Sequence, residues 1–378
     1  NQSQANQSQA NQSQANQSQA NQSRANQSRA NQSRANQSRA DRSAAGQLSG
    51  KIAIDASGSS QLLLNHLEIA DLTHELKSNS RSVYTHLTSV DSWSKTLGEA
   101  RSSQHPFNSD AAAQHHLLDE GWMWLLRFDD GVTSVGVCFD ESPALDDPFG
   151  QPLRRPASAT DEFWQVVQRY PDLAQLFKDA QLADRPNRWC HTGRLQRLCA
   201  EAAGEDWVAL PHCVGFIDPM HSTGIALTMF AIERIAAALD PQRDPTQRLA
   251  GLSAYSRSLI DTFKWIDQLV WACYRTRKSA ELFHAAVMLY FTATVHFETA
   301  RQDRKPTEFL SADWPVIRSI ANWFVRELGK SDQRLAGAPS HDDELAKELV
   351  IKLAPLSNVG LGDPAAKKMY WHTNCGPD

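Results

Sequence analysis

Trp207-Val208-Ala209-Leu210-Pro211-His212-Cys213-Val214-Gly215-Phe216-Ile217-Asp218-Pro219-Met220-His221-Ser222-Thr223-Gly224-Ile225-Ala226-Leu227-Thr228 reads as a strand, a loop and the start of a helix. The apolar run ends at Pro211, and Pro219 stiffens the loop. The helical pattern then runs from about Ser222 to Leu239, with Ile225, Met229, Ile232 and Ile235 as core candidates and Asp240-Pro241 as its stop. The first turn of a helix leaves backbone N–H groups without intrahelical partners, and the dipole there favours an anion, a phosphate or an electron-rich ring oxygen. Gly224 would let a planar ligand approach the backbone closely. The plainer reading is an N-capped helix with Ser222 or Thr223 as the cap.

The order of residues in this stretch resembles the second flavin-binding motif of FAD-dependent halogenases and related aromatic monooxygenases, commonly G-D-A-A-x-x-x-D-P-x-x-S-T/S-G. The resemblance implies that Asp218 and Pro219 lie near the ribityl and pyrophosphate part of FAD. The backbone of Ser222, Thr223, Gly224 and Ile225 would then face the isoalloxazine, and the amides of Thr223 and Gly224 would also hold a halide. Pro211-His212 stands where the pattern has Gly-Asp. His221 occupies the position at which tryptophan halogenases carry a Glu, so that residue's role does not carry over; as a titratable side chain within the motif, His221 is the catalytic candidate, as a general acid or base.

Upstream, Lys51-Ile52-Ala53-Ile54-Asp55-Ala56-Ser57-Gly58 reads as a buried strand entering a tight loop. Its end is similar to the D-A-T/S-G strand end that such flavoproteins place beside the pyrophosphate, which makes Asp55, Ser57 and Gly58 cofactor-binding candidates. Gly121-Trp122-Met123-Trp124-Leu125-Leu126-Arg127-Phe128 resembles the halogenase W-x-W-x-I-P signature, with Arg127 in place of Pro. Trp122 and Trp124 are thereby substrate-pocket candidates. Read from spacing alone, two Trp residues two apart on a strand share one face and pack into a core.

Strands are also expected at 81–90, 121–128 and 132–139, the last two joined by Asp129-Asp130-Gly131, a hairpin signal. A helical pattern from 161 to 180 is broken by Pro171, and 245–301 reads as helices. His115 and His116 are adjacent, and His296 and Glu298 are two apart, so neither pair converges on a metal, and no metal site is expected. The six cysteines form no C-x-x-C pair and read as small buried hydrophobes.

Residues 1–40 repeat NQSQA four times and NQSRA four times, with no aliphatic residue larger than Ala. Such a segment cannot bury enough apolar surface to offset its ordering entropy, so a disordered tail over 1–46 is expected. The tail carries five arginines and one Asp, which leaves the rest of the chain more acidic than the formal charge of −5 and gives no basis for nucleic-acid binding. The absence of a secretory signal and of a long apolar run points to a cytoplasmic protein without membrane spans.

The expected fold class is α/β: a partial FAD-binding Rossmann-like domain with an antiparallel β-sheet substrate domain within 47–240, then a helical C-terminal region over 241–378. No strand, G-x-G-x-x-G and helix unit stands upstream of Lys51, so the resemblance implies a nucleotide-binding domain lacking its front half. The implied activity is an FAD-dependent oxidoreductase that uses reduced flavin and oxygen on a small organic substrate, by halogenation or monooxygenation, with a flavin reductase and a halide as partners. Two other readings stand beside it. One is a truncated non-catalytic flavoprotein fragment or binding module; the other is a reductase of isoprenoid chains, whose members combine a D-A-x-G strand with a D-P-x-x-x-x-G-I loop.

Overall fold

The computed structural model describes residues 49–98, 108–142, 158–331 and 339–356. The pentad tail and Cys375 lie outside them. The chain divides into Asn1–Lys51 and Ile52–Asp378, and the elements below belong to the second unit.

In chain order they are β1 (Ala53–Asp55), α1 (Leu62–His66), β2 (Ser80–Thr88), α2 (Trp93–Leu97), β3 (Gln114–Leu118), β4 (Gly121–Arg127) and β5 (Thr133–Asp140). There follow α3 (Ala159–Arg169), α4 (Pro171–Leu176), β6 (Gln181–Leu182), β7 (Cys190–His191), β8 (Arg197–Leu198), β9 (Trp207–Ala209), α5 (Pro211–Val214) and β10 (Gly215–Phe216). The remainder is helical: α6 (Gly224–Ala238), α7 (Pro245–Thr276), α8 (Ala280–Gln302), α9 (Pro315–Ser331) and α10 (Pro339–Leu353).

The main sheet is antiparallel, in the order β3-β4-β5-β2-β6, with β7 also on β2. Its two faces separate by the period of two that a strand imposes. Trp122 and Cys138 join the large helical core, whereas Met123, Leu125, Val135 and Val137 pack under α3 and α4 with Phe163 and Leu176. The hairpin is closed by Gly131, whose φ of 82° suits glycine, and by Phe128 N–H on the Val132 carbonyl at 2.8 Å. β3 has no counterpart among the sequence expectations, because Gln114-His115-His116 carries too little apolar alternation to show as a strand. The 161–180 pattern resolves into α3 and α4, with Pro171 at the first position of α4, where its missing N–H costs nothing.

β1 and β9 form a separate parallel pair, Ala53 with Trp207, Ile54 with Val208 and Asp55 with Ala209. β9 is fully buried, while Ile54 is half exposed.

The core of α6 differs from expectation. Ile235 is buried, but Ile225, Met229 and Ile232 are 79%, 59% and 42% exposed. The helix turns Leu227, Ala231, Ile235 and Ala238 inward instead, a stripe at i, i+4, i+8 and i+11 that meets α7. Because α6 is apolar nearly all round, composition alone did not select the face.

α7 is the spine of the molecule. Its Trp265 is buried and donates to the Leu310 carbonyl at 2.9 Å. Buried Asp267 accepts from the amides of Lys77 (2.7 Å) and Ser78 (2.9 Å), which fastens the entry to β2 against this helix. At its start Asp244 and Gln247 form a capping box over Pro245. Replacing Asp244 by Ala should lower stability by about 1 kcal/mol, the usual value of such a cap. Urea denaturation should show a lower midpoint with an unchanged slope.

Candidate functional site

The quoted stretch folds as β9, the short helix α5, β10 and a 3-10 turn over Pro219–His221, before α6 begins. Ser222 takes the left-handed conformation (φ 51°), which turns the chain sharply into the helix. Thr223 is the N-cap residue but makes no side-chain cap, so the leading amides of α6 are not covered by a capping side chain. They border a cavity of about 280 Å³ lined by Pro211, His212, Gly215, Phe216, Ile217, Asp218, Pro219, Ser222, Thr223, Gly224, Ile225, Leu227, Phe263 and Ile266.

The cavity has one acidic side chain, and that side chain is otherwise engaged. Asp218 is buried and caps the 3-10 turn through Met220 N–H (3.0 Å). Its other oxygen accepts from Ser80 Oγ (2.6 Å) and Tyr274 Oη (2.9 Å). Gln196 completes the set by donating to Ser80 Oγ and to the Ile217 carbonyl, both at 2.8 Å. Burial pushes the Asp218 carboxyl up to about 6, against the opposing pull of the Ser80, Tyr274 and Met220 hydrogen bonds.

Tyr274 also accepts from Trp122 Nε1 at 3.0 Å, so the flavin-like loop and the main sheet meet at one hydroxyl. Trp122 is buried and Trp124 half-buried on the same face, their ring centroids 5.9 Å apart. Trp124 lies directly over Gly136: a Cβ there would come within 2.2 Å of the indole and 2.6 Å of Tyr84 Cβ. Arg127, which stands where the signature has Pro, pairs with Asp110 at 3.0 Å and donates to the carbonyls of Val90 and Asp91. It anchors the end of β4 to the loop beyond β2.

His221 is stacked on Tyr290, with centroids 4.0 Å apart and planes 5° apart. Tyr290 Oη donates to its carbonyl, and its Nε2 lies 3.7 Å from Cys273 Sγ. Burial, then the nearby His115, pushes its imidazole down to about 3, so it is neutral across the physiological range. It does not line the cavity.

Asp55 works on its own loop. Its carboxylate accepts from the amides of Ser57 (2.8 Å) and Leu63 (2.9 Å). Burial acts to raise its pKa, but the hydrogen bonds from Ser57, Leu63 and Cys213 outweigh it, and the net shift is downward. Ser57 Oγ accepts from Leu62 N–H, and Gly58, with φ of 61°, donates its N–H to Cys213 Sγ at 3.1 Å. The D-A-S-G end is therefore joined to the cavity loop through Cys213, one residue from His212.

Cofactor candidates Asp218, Pro219, Ser222, Thr223, Gly224 and Ile225 thus converge on one cavity. Asp55, Ser57 and Gly58 adjoin it, and Trp122 and Trp124 connect through Tyr274. Ser80, Gln196 and Tyr274 had no signal in the sequence, because each is recognisable only from its partner far along the chain. His115 and His116 lie against different rings, Trp122 (4.7 Å) and Trp93 (4.6 Å), and His296 stacks on Trp314 (3.7 Å). Among the described residues no group of three or more His, Cys, Asp or Glu is placed to hold a metal ion, and no helix is long and apolar enough to cross a membrane.

Residues 8–289 match the family model described as tryptophan halogenase. The chain is 28% identical over 252 residues to the tetracycline 7-halogenase of Kitasatospora aureofaciens, covering 64% of this chain and 43% of that protein. It is also 28% identical over 258 residues to the monodechloroaminopyrrolnitrin halogenase PrnC of Pseudomonas fluorescens, covering 66% and 43%. The chain therefore spans less than half the length of these curated relatives. Among solved structures, halogenase PltM in complex with phloroglucinol and FAD superposes with a TM-score of 0.73 at 21% identity, over 86% of this chain and 68% of that one. The flavin-dependent brominase Bmp2 gives 0.51 at 16% identity, over 75% and 65%. At these identities the structural likeness is one of fold.

Proposed function

The chain belongs to the tryptophan halogenase family, and on that premise we propose that it acts as a flavin-dependent halogenase, with FAD held at the cavity before α6. The observation that carries the reading is the cavity itself. Helix-start amides without a capping side chain and the backbone of Gly224 border it, and no free carboxylate opposes an electron-rich ligand there. These residues fit the acceptor edge of a flavin. The backbone of Ser222 to Ile225 would hold the ring, the amides of Thr223 and Gly224 a halide, and the Asp55 to Gly58 loop would lie toward the phosphates.

Reduced flavin, when bound, supplies the electrons that activate oxygen for oxidation of a halide. The chain's own part is to bind and to exclude water. Trp122 and Trp124 give the substrate side a rigid aromatic wall, and neutral His221 on Tyr290 adds bulk without charge. The proposed partners are a small organic substrate, a halide and a flavin reductase. Family membership speaks against the isoprenoid reductase reading.

Titration of the purified protein with FAD, followed by flavin fluorescence and a visible difference spectrum, is expected to show saturable uptake. With reduced flavin, oxygen and bromide, mass spectrometry of an electron-rich phenol should then show bromide-dependent product. A protein that takes up no flavin would overturn the reading. Gly224→Val, whose Cβ would lie 2.9 Å from His212 Nε2 at the cavity edge, should weaken uptake at least about tenfold.

A further inference from the structure

His212 replaces a carboxylate in the resembling motif, and its hydrogen bonds fix what the imidazole offers instead. Thr228 Oγ donates its only proton to the Gly224 carbonyl at 2.9 Å. The same oxygen lies 3.3 Å from His212 Nδ1, a contact whose direction is set by the ring tautomer. With the Thr228 hydroxyl proton on that carbonyl, Nδ1 carries the ring proton and Nε2 keeps a lone pair. Nε2 sits over Gly224, 2.9 Å from where a Cβ would stand, and has no hydrogen-bond partner among the described residues. Both His212 and Gly224 line the cavity.

A guanidinium close to His212 adds to the effect of burial in disfavouring protonation of the ring. Arg197 donates to the His212 carbonyl at 2.6 Å and lies over the Phe216 ring, 5.5 Å from its centroid. No acidic side chain pairs with Arg197 among the described residues, and its buried Nε has no hydrogen-bond partner there. Burial, then this guanidinium, holds the His212 pKa below its ordinary value.

Resting on the reading of the cavity as a flavin site, we propose that His212 is a ligand-positioning residue, which accepts an O–H or N–H proton of the bound flavin through Nε2. A carboxylate at this place would accept equally well but would bring a negative charge beside the start of α6. The neutral ring keeps the hydrogen bond and leaves that helix end free for electron-rich groups. In a flavin the donor is either a hydroxyl of the polyol chain or the N–H of the ring.

Riboflavin, which has both, and lumiflavin, which has only the ring, separate the two sources. His212→Phe should bind riboflavin about fivefold more weakly, the value of one neutral hydrogen bond, while His212→Gln, which keeps an acceptor oxygen, restores it. Weakening confined to riboflavin assigns the polyol, and equal weakening with lumiflavin assigns the ring N–H. Unchanged binding of both by His212→Phe overturns the proposal. Nitrogen-15 spectra of histidine-labelled wild-type protein, with His212→Gln for assignment, read the tautomer without any ligand. A protonated Nε2 overturns the proposal whether or not flavin binds. Failure of the wild type to take up any flavin overturns the flavin contact together with the cavity reading, whereas failure at His212 alone leaves that reading intact.

Discussion

Gly121→Ala is expected to cost a large part of the stability of the folded chain. A Cβ at this position would stand 1.9 Å from the Cys138 carbonyl oxygen and 3.2 Å from Phe139 Cα. Both obstacles are backbone of β5, which is paired on its other side to β2 along eight residues, so neither can move aside. The φ of 155° adds strain for any side chain. Together these place the substitution among the exceptional ones, at about 4 kcal/mol or more, against a total that for most domains is about 5–15 kcal/mol. The control is Gly131→Ala, where φ is 82° but nothing lies within 4 Å of the new methyl. It carries only the left-handed penalty of about 1–2 kcal/mol. Thermal and urea denaturation of the two variants should therefore differ widely, and equal losses would mean that the close approach to β5 is not real.

The second large effect is a pH dependence. Asp218 has an ordinary carboxyl value of 3.8 when exposed and about 6 in the folded chain. Because the folded value is raised, its contribution is fully present below about pH 4 and is lost as pH rises through 6, where the unfolded chain ionises freely and the folded chain resists. The shift corresponds to about 3 kcal/mol, at 1.36 kcal/mol for each pH unit. Asp218→Asn cannot ionise. The difference in unfolding free energy between wild type and this variant should change by about 3 kcal/mol between pH 4 and pH 8, in the direction that favours the variant at high pH. Carboxylates whose pKa is lowered, such as Asp110, impose the opposite slope but are common to both proteins and cancel. Parallel curves would show that Asp218 is charged throughout and that its hydrogen bonds offset its burial.

These two residues show how unevenly the molecule could be read from its sequence. The motif order from Trp207 to Thr228 located the cavity, because loop and helix-start chemistry depends on neighbours in the chain. The β4–β5 hairpin was legible for the same reason, through Asp129-Asp130-Gly131. Nothing local, however, marks Gly121 as a close approach to β5, since its obstacle lies seventeen residues later. Nor does anything mark Asp218 as consumed by Ser80 and Tyr274, which flank it from far upstream and downstream. The outward turn of Ile225, Met229 and Ile232 was hidden by a helix apolar on several faces. His212 read as a mere departure from a motif, and its contact with Thr228, one helical turn inside α6, became visible only in the fold.

The indole of Trp124 resting on Gly136 has a bearing on how this wall can change over generations. Any side chain at 136 displaces the ring or Tyr84, and any smaller residue at 124 opens a gap above a glycine that has nothing to fill it. The two positions are locked together, so that drift at either one is harmful until the other has already changed. Variation in the aromatic wall should then enter lineages as paired replacements across β4 and β5, and single steps should be rare.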